Sequence, residues 1–290
     1  MRTWIRRTAI AVAAVVALGA AEIGISSYAE DIMAQAVAQT LKKDTTPSVS
    51  ITSFPNLLKL PFGRTGGFLV NLDDYPYATP DIPLSNIQVE YSNLRFNQSV
   101  LFSGQAPDFS FGEGTGRVYI SGSALALHSG IADFQFQASN DASPAGIGED
   151  KALISGTIDV PCASEGSDIH FQMRAHVFYW KEGKRVEIDP EDIISYQDNT
   201  PNRPASMKCT VLSEEMLNQA KETFSLSLRV PALPLGIDAR LAFAQSGNLV
   251  IVGPTPLSPI SGKKRARFPD GTSSKARWEN LQNYMEFAPR

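Results

Sequence analysis

The sequence has few of the side chains on which catalysis and metal binding depend. Its 290 residues include two cysteines and three histidines, and it has no Gly-x-Ser-x-Gly motif of the kind that places a hydrolase nucleophile. His170 and His176 share a face if one strand carries both, and Asp168 shares it too, a set able to hold a metal or exchange a proton. Histidines so spaced are more often structural. We therefore predict no enzymatic activity, no metal site and no cofactor.

Charge is also sparse, and no long apolar run is uninterrupted. Charged residues make up 19% of the chain and hydrophobic residues 43%, with a formal net charge of −4. This balance favours a folded core and argues against a nucleic-acid partner. Arg2, Arg6 and Arg7 precede an uncharged stretch at 8–21, which is typical of an export signal but shorter than the roughly 20 residues that span a bilayer.

The start of the chain therefore predicts export to the periplasm or cell envelope. Residues 1–21 are predicted to act either as a cleaved signal peptide or as an N-terminal anchor that tethers the protein to the plasma membrane. The anchor is an alternative because the apolar run reaches Ile25 if Glu22 is tolerated near the interface. The two cysteines, Cys162 and Cys209, are predicted to form a disulfide, because cysteines in exported proteins usually pair. A reactive thiol is the alternative, and Lys208 is the one base beside Cys209 that would favour it.

A long amphipathic helix is predicted directly after the export segment. Apolar residues recur at helical spacing from 22 to 43, with polar residues on the opposite stripe. Lys42 and Lys43 at its end suit the negative end of the helix dipole.

The rest of the chain, as far as 252, is predicted to be mainly antiparallel strands, because apolar and polar residues alternate with period two. A second, short helix is expected at 213–223, with Ser213 as its N-cap. The strand at 117–121 is expected to run out through Gly122 to Leu125, and 189–208 is predicted to be an exposed excursion because of its prolines. Helix and strands together predict an α+β fold.

The most distinctive segment lies at 49–70. A strand begins at Val49 and Ile51 and breaks at Phe54-Pro55, since proline cannot donate to a ladder. The apolar cluster that follows either closes the end of the core or forms the mouth of a groove or a membrane-touching tip. The apolar turn at 233–236 either simply reverses the chain or lines the groove. The cluster comprises Phe54, Leu57, Leu58, Leu60 and Phe62.

Several short motifs occur along the chain. No single motif is specific, but their order and spacing are. The motifs are Val49-x-Ile51-x-x-Phe54-Pro55-x-Leu57, Phe68-x-Val70, Ile87-x-Val89, Gly116-Arg117-Val118-Tyr119-Ile120-Ser121-Gly122, Leu233-Pro234-Leu235-Gly236-Ile237 and Gly247-Asn248-Leu249-Val250-Ile251-Val252-Gly253. In these motifs, over about 22–253, the chain resembles the actinobacterial LmeA-like cell-envelope phospholipid-binding family.

That resemblance implies a helix packed on a strongly curved antiparallel sheet, similar to half of a tubular lipid-binding module. It also implies acyl chains in an apolar groove between helix and sheet, and a role in envelope lipid or lipoglycan assembly. The alternative is a non-catalytic envelope structural or interaction module without a lipid ligand. The residues expected to line the groove or its entrance are Ile32, Val37, Phe54, Leu57, Leu58, Leu60, Phe62, Phe68, Val70, Leu233 and Leu235.

A basic tail follows the single lipid-binding domain that we expect at 22–253. The tail, at 254–290, has a basic cluster that predicts either contact with anionic headgroups or an exposed tail without a binding role. A short terminal helix is also possible within it. The expected partners are therefore a phospholipid or related amphiphile and a membrane surface. The headgroup contacts would come from Lys263, Lys264, Arg265 and Arg267.

Overall fold

The computed structural model describes the greater part of the chain between residues 23 and 255. The described residues are 23–24, 26–31, 33–35, 37–38, 41, 47–52, 64–75, 85–96, 109–110, 114–138, 151–162, 165–230 and 233–255. Within them the chain forms two curled antiparallel sheets and few helices.

The first sheet has seven strands in the order β1-β2-β3-β5-β12-β11, with β4 pairing with β3. Most neighbouring strands of this sheet follow one another in the chain and pair as antiparallel hairpins. The exception is β12, which comes much later in the sequence than its neighbour β5. The strands are β1 (Ser48–Ile51), β2 (Arg64–Tyr75), β3 (Ser85–Phe96), β4 (Phe109–Ser110), β5 (Gly114–Ser121), β11 (Leu241–Gln245) and β12 (Asn248–Thr255).

The second sheet has five strands in the order β10-β9-β8-β7-β6. Every pair is antiparallel, so the chain runs up and down through β6, β7, β8 and β9 before a helix returns it to β10. The strands are β6 (Ala132–Ala138), β7 (Lys151–Cys162), β8 (Glu165–Trp180), β9 (Arg185–Asp198) and β10 (Leu226–Arg229).

Two α-helices connect these strands. Helix α2 (Glu214–Phe224) confirms the helix predicted at 213–223, and the Ser213 hydroxyl accepts a hydrogen bond from the Met216 N–H. Helix α1 (Gly122–Ser129) corrects the prediction that the strand runs on through Leu125. Ser121 caps its first turn and Gly130 ends it at φ 74°, so the cap residues rather than the apolar pattern define this helix.

Strand β9 corrects a second prediction, since the first half of the expected excursion, 189–198, is part of this strand and pairs with β8 of the second sheet. Pro190 is tolerated there because the register with β8 shifts between Arg174 and Ala175. A bulge at this position leaves one residue outside the ladder, and proline is found in strands where a ladder bond is already interrupted.

The N-terminal helical segment comprises the described helical residues 23–24, 26–31, 33–35, 37–38 and 41. The long continuous helix predicted over 22–43 is not supported. In so polar a segment, helical stability depends on packing of the apolar stripe. Ala29, Met33 and Val37 supply that stripe at intervals of four residues, and all three are buried in the main core.

The two sheets meet at β11. This strand ends the first sheet and packs across β6, β7 and β8 of the second. Ala242 and Ala244 are buried at this crossing, and their small side chains let two backbones approach closely. One hydrophobic core therefore extends through both sheets.

Candidate functional site: the enclosed apolar face and the polar cleft

The inner face of the first sheet is a continuous apolar surface. Phe68 on β2 lies opposite Tyr91 on β3, and their rings stack with centroids 4.9 Å apart. Val70 lies opposite Val89 in the next row, and both are fully buried. Cross-strand pairs of this kind stabilise a sheet and fix its register, because a slip of one residue would turn the whole row to solvent.

The N-terminal helical segment covers part of this face. Its buried stripe belongs to the same core as Phe68 and Val70. A polar contact also joins the cover to the sheet: the Glu30 Oε1 atom accepts a hydrogen bond of 2.7 Å from the Ile51 N–H at the free edge of β1. The cover is thus held by apolar packing and by a carboxylate that satisfies an edge-strand donor.

The turn at 233–237 closes another part of the same face. Leu235 adopts φ 56° inside a short 3-10 turn, and its side chain is buried. The Ile237 side chain packs directly against Gly116 on β5. A Cβ atom at Gly116 would lie only 2.3 Å from the Ile237 Cγ1 atom. Gly116 is therefore required by close packing.

We expect Gly116→Ala to lower the free energy of unfolding by about 1–3 kcal/mol, because the added methyl collides with Ile237. Ile237→Ala alone should cost about 2–5 kcal/mol through the cavity that it leaves. The double variant should lose clearly less than the sum, because each change relieves the other. Urea denaturation of the four proteins tests this, and strictly additive losses would contradict the packing.

The predicted groove residues fall into two groups. Val37, Phe68, Val70, Leu233 and Leu235 are brought together in one core and are buried there, so in this structure they do not line an open cavity. The other predicted groove residues, Ile32, Phe54, Leu57, Leu58, Leu60 and Phe62, lie outside the described residues. The predicted headgroup contacts also lie outside them, namely Lys263, Lys264, Arg265 and Arg267.

A cleft of about 560 Å³ does open on the second sheet, but it is polar. It lies between the start of β6, the last part of β7, the start of β8, helix α2 and the loop after β9. Carboxylates of Asp133, Asp159 and Asp168 line it together with hydroxyl and amide side chains. A surface of this composition does not suit an acyl chain, because burying it against hydrocarbon would leave polar groups unpaired.

Beside this cleft, Asp198 at the end of β9 organises a polar network that the sequence analysis missed. Its carboxylate accepts hydrogen bonds of 2.8 Å from the Thr200 N–H and the Cys209 N–H, and Arg203 lies 3.5 Å away. Burial raises the pKa of Asp198, but these hydrogen bonds and the Arg203 charge outweigh it and hold the pKa well below its usual range. The Asp-x-Thr spacing of 198–200, typical of an Asx turn, is the signal that could have found it.

The network ties the 199–209 loop to the β7–β8 hairpin. The Arg203 guanidinium donates to the Gly166 carbonyl at 3.1 Å and to the Ser167 hydroxyl. Asp168 donates its N–H to the Thr200 hydroxyl at 3.0 Å. The residues that make this connection have a structural role, and none of these contacts indicates a catalytic group.

The histidines share a face, as predicted, but they are not brought into one site. His170 Nδ1 lies 3.2 Å from the Thr157 hydroxyl, whereas His176 Nε2 lies 3.3 Å from a Glu191 carboxylate oxygen. Across the described part of the chain, no group of three or more His, Cys, Asp or Glu side chains is arranged to hold a metal ion. The described helices also include none with the length and apolar character needed to cross a bilayer.

Fold and interior together define a β-rich protein with two curled antiparallel sheets around one extended apolar core. The model of the LmeA-like phospholipid-binding family matches residues 20–253, about four fifths of the chain. The protein belongs to this family, which confirms the resemblance seen in the motifs. Comparison with curated proteins and with solved structures gives no match.

Proposed function

We propose that this protein binds or carries phospholipid-like molecules in the bacterial cell envelope and supports envelope lipid or lipoglycan assembly, without catalysis. The observation that carries the proposal is membership of a phospholipid-binding family over most of the chain. Acyl chains gain about 0.8 kcal/mol for each CH₂ group that they bury, so an apolar interior is sufficient to bind them.

The inner face of the first sheet is the proposed site for the acyl chains. It is broad and apolar, and part of its cover is the N-terminal helical segment, whose described buried side chains include Ala29, Met33 and Val37. Ala29 is small and Met33 is flexible, and Val37 is the one branched side chain of the three. Separating these side chains from the sheet therefore costs less free energy than separating aromatic side chains from it. In this proposal the lipid enters between cover and sheet, with the 54–62 cluster at the entrance.

Export and tethering by the N-terminal segment would place the protein where such lipids are assembled. The Arg2, Arg6 and Arg7 pattern and the apolar stretch that follows support this placement. An exported protein is also the setting in which Cys162 and Cys209 would pair.

A non-catalytic structural module is the second candidate. The observation that favours it is the complete burial of Phe68 and Val70, which is also what an ordinary core would give. The two candidates differ in whether lipid accompanies the folded protein.

Native mass spectrometry of the gently purified full chain should show bound phospholipid as added mass. A Leu57→Asp, Leu58→Asp variant should carry much less lipid, because charges at the entrance oppose the passage of acyl chains. Leu127→Asp is the matched control, since Leu127 is 90% exposed on α1 and is not among the residues of the proposed site.

Circular dichroism would establish that all three proteins are folded. A lipid-free wild type would favour the structural module. Equal lipid loading in a folded Leu57→Asp, Leu58→Asp variant would remove the 54–62 cluster from the site but leave lipid binding itself in place.

A further inference from the structure

The tip of the β8–β9 hairpin exposes two large aromatic side chains. Strand β8 ends at Trp180, a turn occupies 181–184, and β9 begins at Arg185. Phe178 is 37% exposed and Trp180 is 42% exposed. Because the two residues are two positions apart on one strand, they lie on the same face. That face is the outer one, since the neighbouring Val177 is buried.

More cationic than anionic side chains lie around these two aromatic residues. The tip holds four cations, Lys181, Lys184, Arg185 and Arg229, and two carboxylates, Glu182 and Glu187, a local excess of two positive charges on a chain whose net charge is −4. Both carboxylates are engaged within the tip, Glu187 with Arg185 at 2.7 Å and Glu182 with the Trp180 indole N–H at 2.9 Å.

Three of the cations are left to face solvent. Lys181, Lys184 and Arg229 are exposed, and none of them forms an ion pair within the described ranges. Arg185 additionally lies 4.7 Å above the Trp180 ring, which fixes the orientation of the indole. The turn itself is held in place, since the Val230 N–H donates to the Lys184 carbonyl at 2.7 Å.

The outer face further along the hairpin is different. There Arg174 lies 3.6 Å from Asp192, and His176 lies 3.3 Å from Glu191. The cation there, Arg174, has a carboxylate partner, whereas aromatic side chains and cations without a carboxylate partner among the described residues coincide at the tip. Exposed aromatic side chains and cations together at one end of a hairpin indicate a surface that contacts a partner, rather than charges that only keep the protein soluble.

We propose that this hairpin tip docks on the surface of an anionic lipid bilayer. Tryptophan prefers the headgroup region of a bilayer, where its ring is partly apolar and its N–H finds partners. Lysine and arginine beside it are attracted by anionic headgroups. The proposal concerns a surface contact, so it holds whether or not the interior of the protein carries a lipid.

Trp180 can report on this contact in the full chain. The sequence has three tryptophans, at 4, 180 and 278, so Trp4→Phe with Trp278→Phe leaves Trp180 as the single emitter. Its emission should shift to the blue with vesicles of phosphatidylglycerol and phosphatidylcholine but not with phosphatidylcholine alone. Brominated acyl chains should then quench it, since quenching needs entry of the indole into the bilayer.

Charge removal at the tip should weaken the binding of vesicles. Lys181→Gln with Lys184→Asn should lower the affinity for phosphatidylglycerol vesicles by about 30-fold, and Asn suits the φ of 46° at position 184. Arg117→Gln with Arg174→Gln is the matched control, because it changes net charge equally at two cations that are already paired. Trp180→Ala is compared with Leu127→Ala, which also removes an exposed apolar side chain.

Three results would overturn the proposal. An unshifted Trp180 emission on bound vesicles would mean that another part of the chain makes the contact. An equal loss of affinity in both charge variants would reduce the effect to net charge. An equal shift with soluble polyglutamate would point to an acidic protein partner. None of these outcomes depends on whether native mass spectrometry finds bound lipid.

Discussion

Replacing Asp198 with asparagine is expected to lower the free energy of unfolding by about 3 kcal/mol. The Asp198 side chain is 1% exposed, and that of Arg203 is 13% exposed. Asparagine keeps the shape but removes the charge, and its amide group cannot accept one of the two backbone hydrogen bonds that the carboxylate receives. The variant therefore leaves a largely buried guanidinium without its counter-charge and a buried N–H without its acceptor.

The effect of this substitution should depend on pH. Because the folded state holds the pKa of Asp198 below its usual value of about 3.9, its contribution is fully present above that value and is lost as the pH falls toward the folded pKa. The wild type and the variant should thus differ most near neutral pH and converge in acid. Guanidinium denaturation from pH 7 downwards measures this difference.

Asp192→Asn is the matched control on the same strand. Asp192 is 61% exposed and pairs with Arg174 at 3.6 Å, a surface ion pair for which a loss of at most about 1 kcal/mol is expected. If the two variants lost equal stability, or if the Asp198→Asn deficit stayed constant into acid, the network around Asp198 would not have the role that we assign to it.

Loss of the predicted disulfide is expected to cost about 4 kcal/mol, because the bond would close a long loop and so restrict the unfolded chain. Cys162 ends β7, and Cys209 is buried at the end of the loop that returns from β9. Arg203 in that loop reaches the carbonyl of Gly166, the residue opposite Pro161 in the β7–β8 ladder. The loop thus returns to the hairpin end that carries Cys162.

The two cysteines can be tested as a pair. If they form a disulfide, Cys162→Ala, Cys209→Ala and the double variant should each lose a similar amount of stability, since either change removes the whole bond. Losses that add would contradict the pairing. So would the alkylation of two thiols in unreduced protein, measured as added mass.

Much of the strand pattern could be predicted from local sequence. Apolar and polar residues alternate over 131–138, which predicts a strand, and β6 lies there. The residues Ser246-Gly247-Asn248 predict a hairpin turn, and β11 and β12 pair on either side of it. Such patterns work because one face of each strand is buried and the other is exposed. The Ser213 N-cap is similarly local, and it located helix α2 to within a residue.

Tertiary context decided the elements that were missed. Pro190 argued against a strand, but a bulge in the partner register removes the conflict. Helix α1 could not be recognised from an amphipathic pattern, since its apolar residues do not all lie on the buried face: Leu125 is buried, but Leu127 is 90% exposed. The proposed lipid site was predictable only in part, since Phe68 and Val70 lie on the expected apolar face but periodicity does not tell a groove from a core.

The contact between Glu30 and Ile51 also occupies a backbone donor at the edge of the first sheet. Strand β1 is the outer strand of its sheet, and its outward N–H groups are a template on which a strand of another molecule can pair. The Glu30 carboxylate occupies one of these donors and brings a negative charge to the edge. If the cover lifts to admit lipid, the same movement uncovers this edge. The loading step is then also the moment of greatest risk of aggregation.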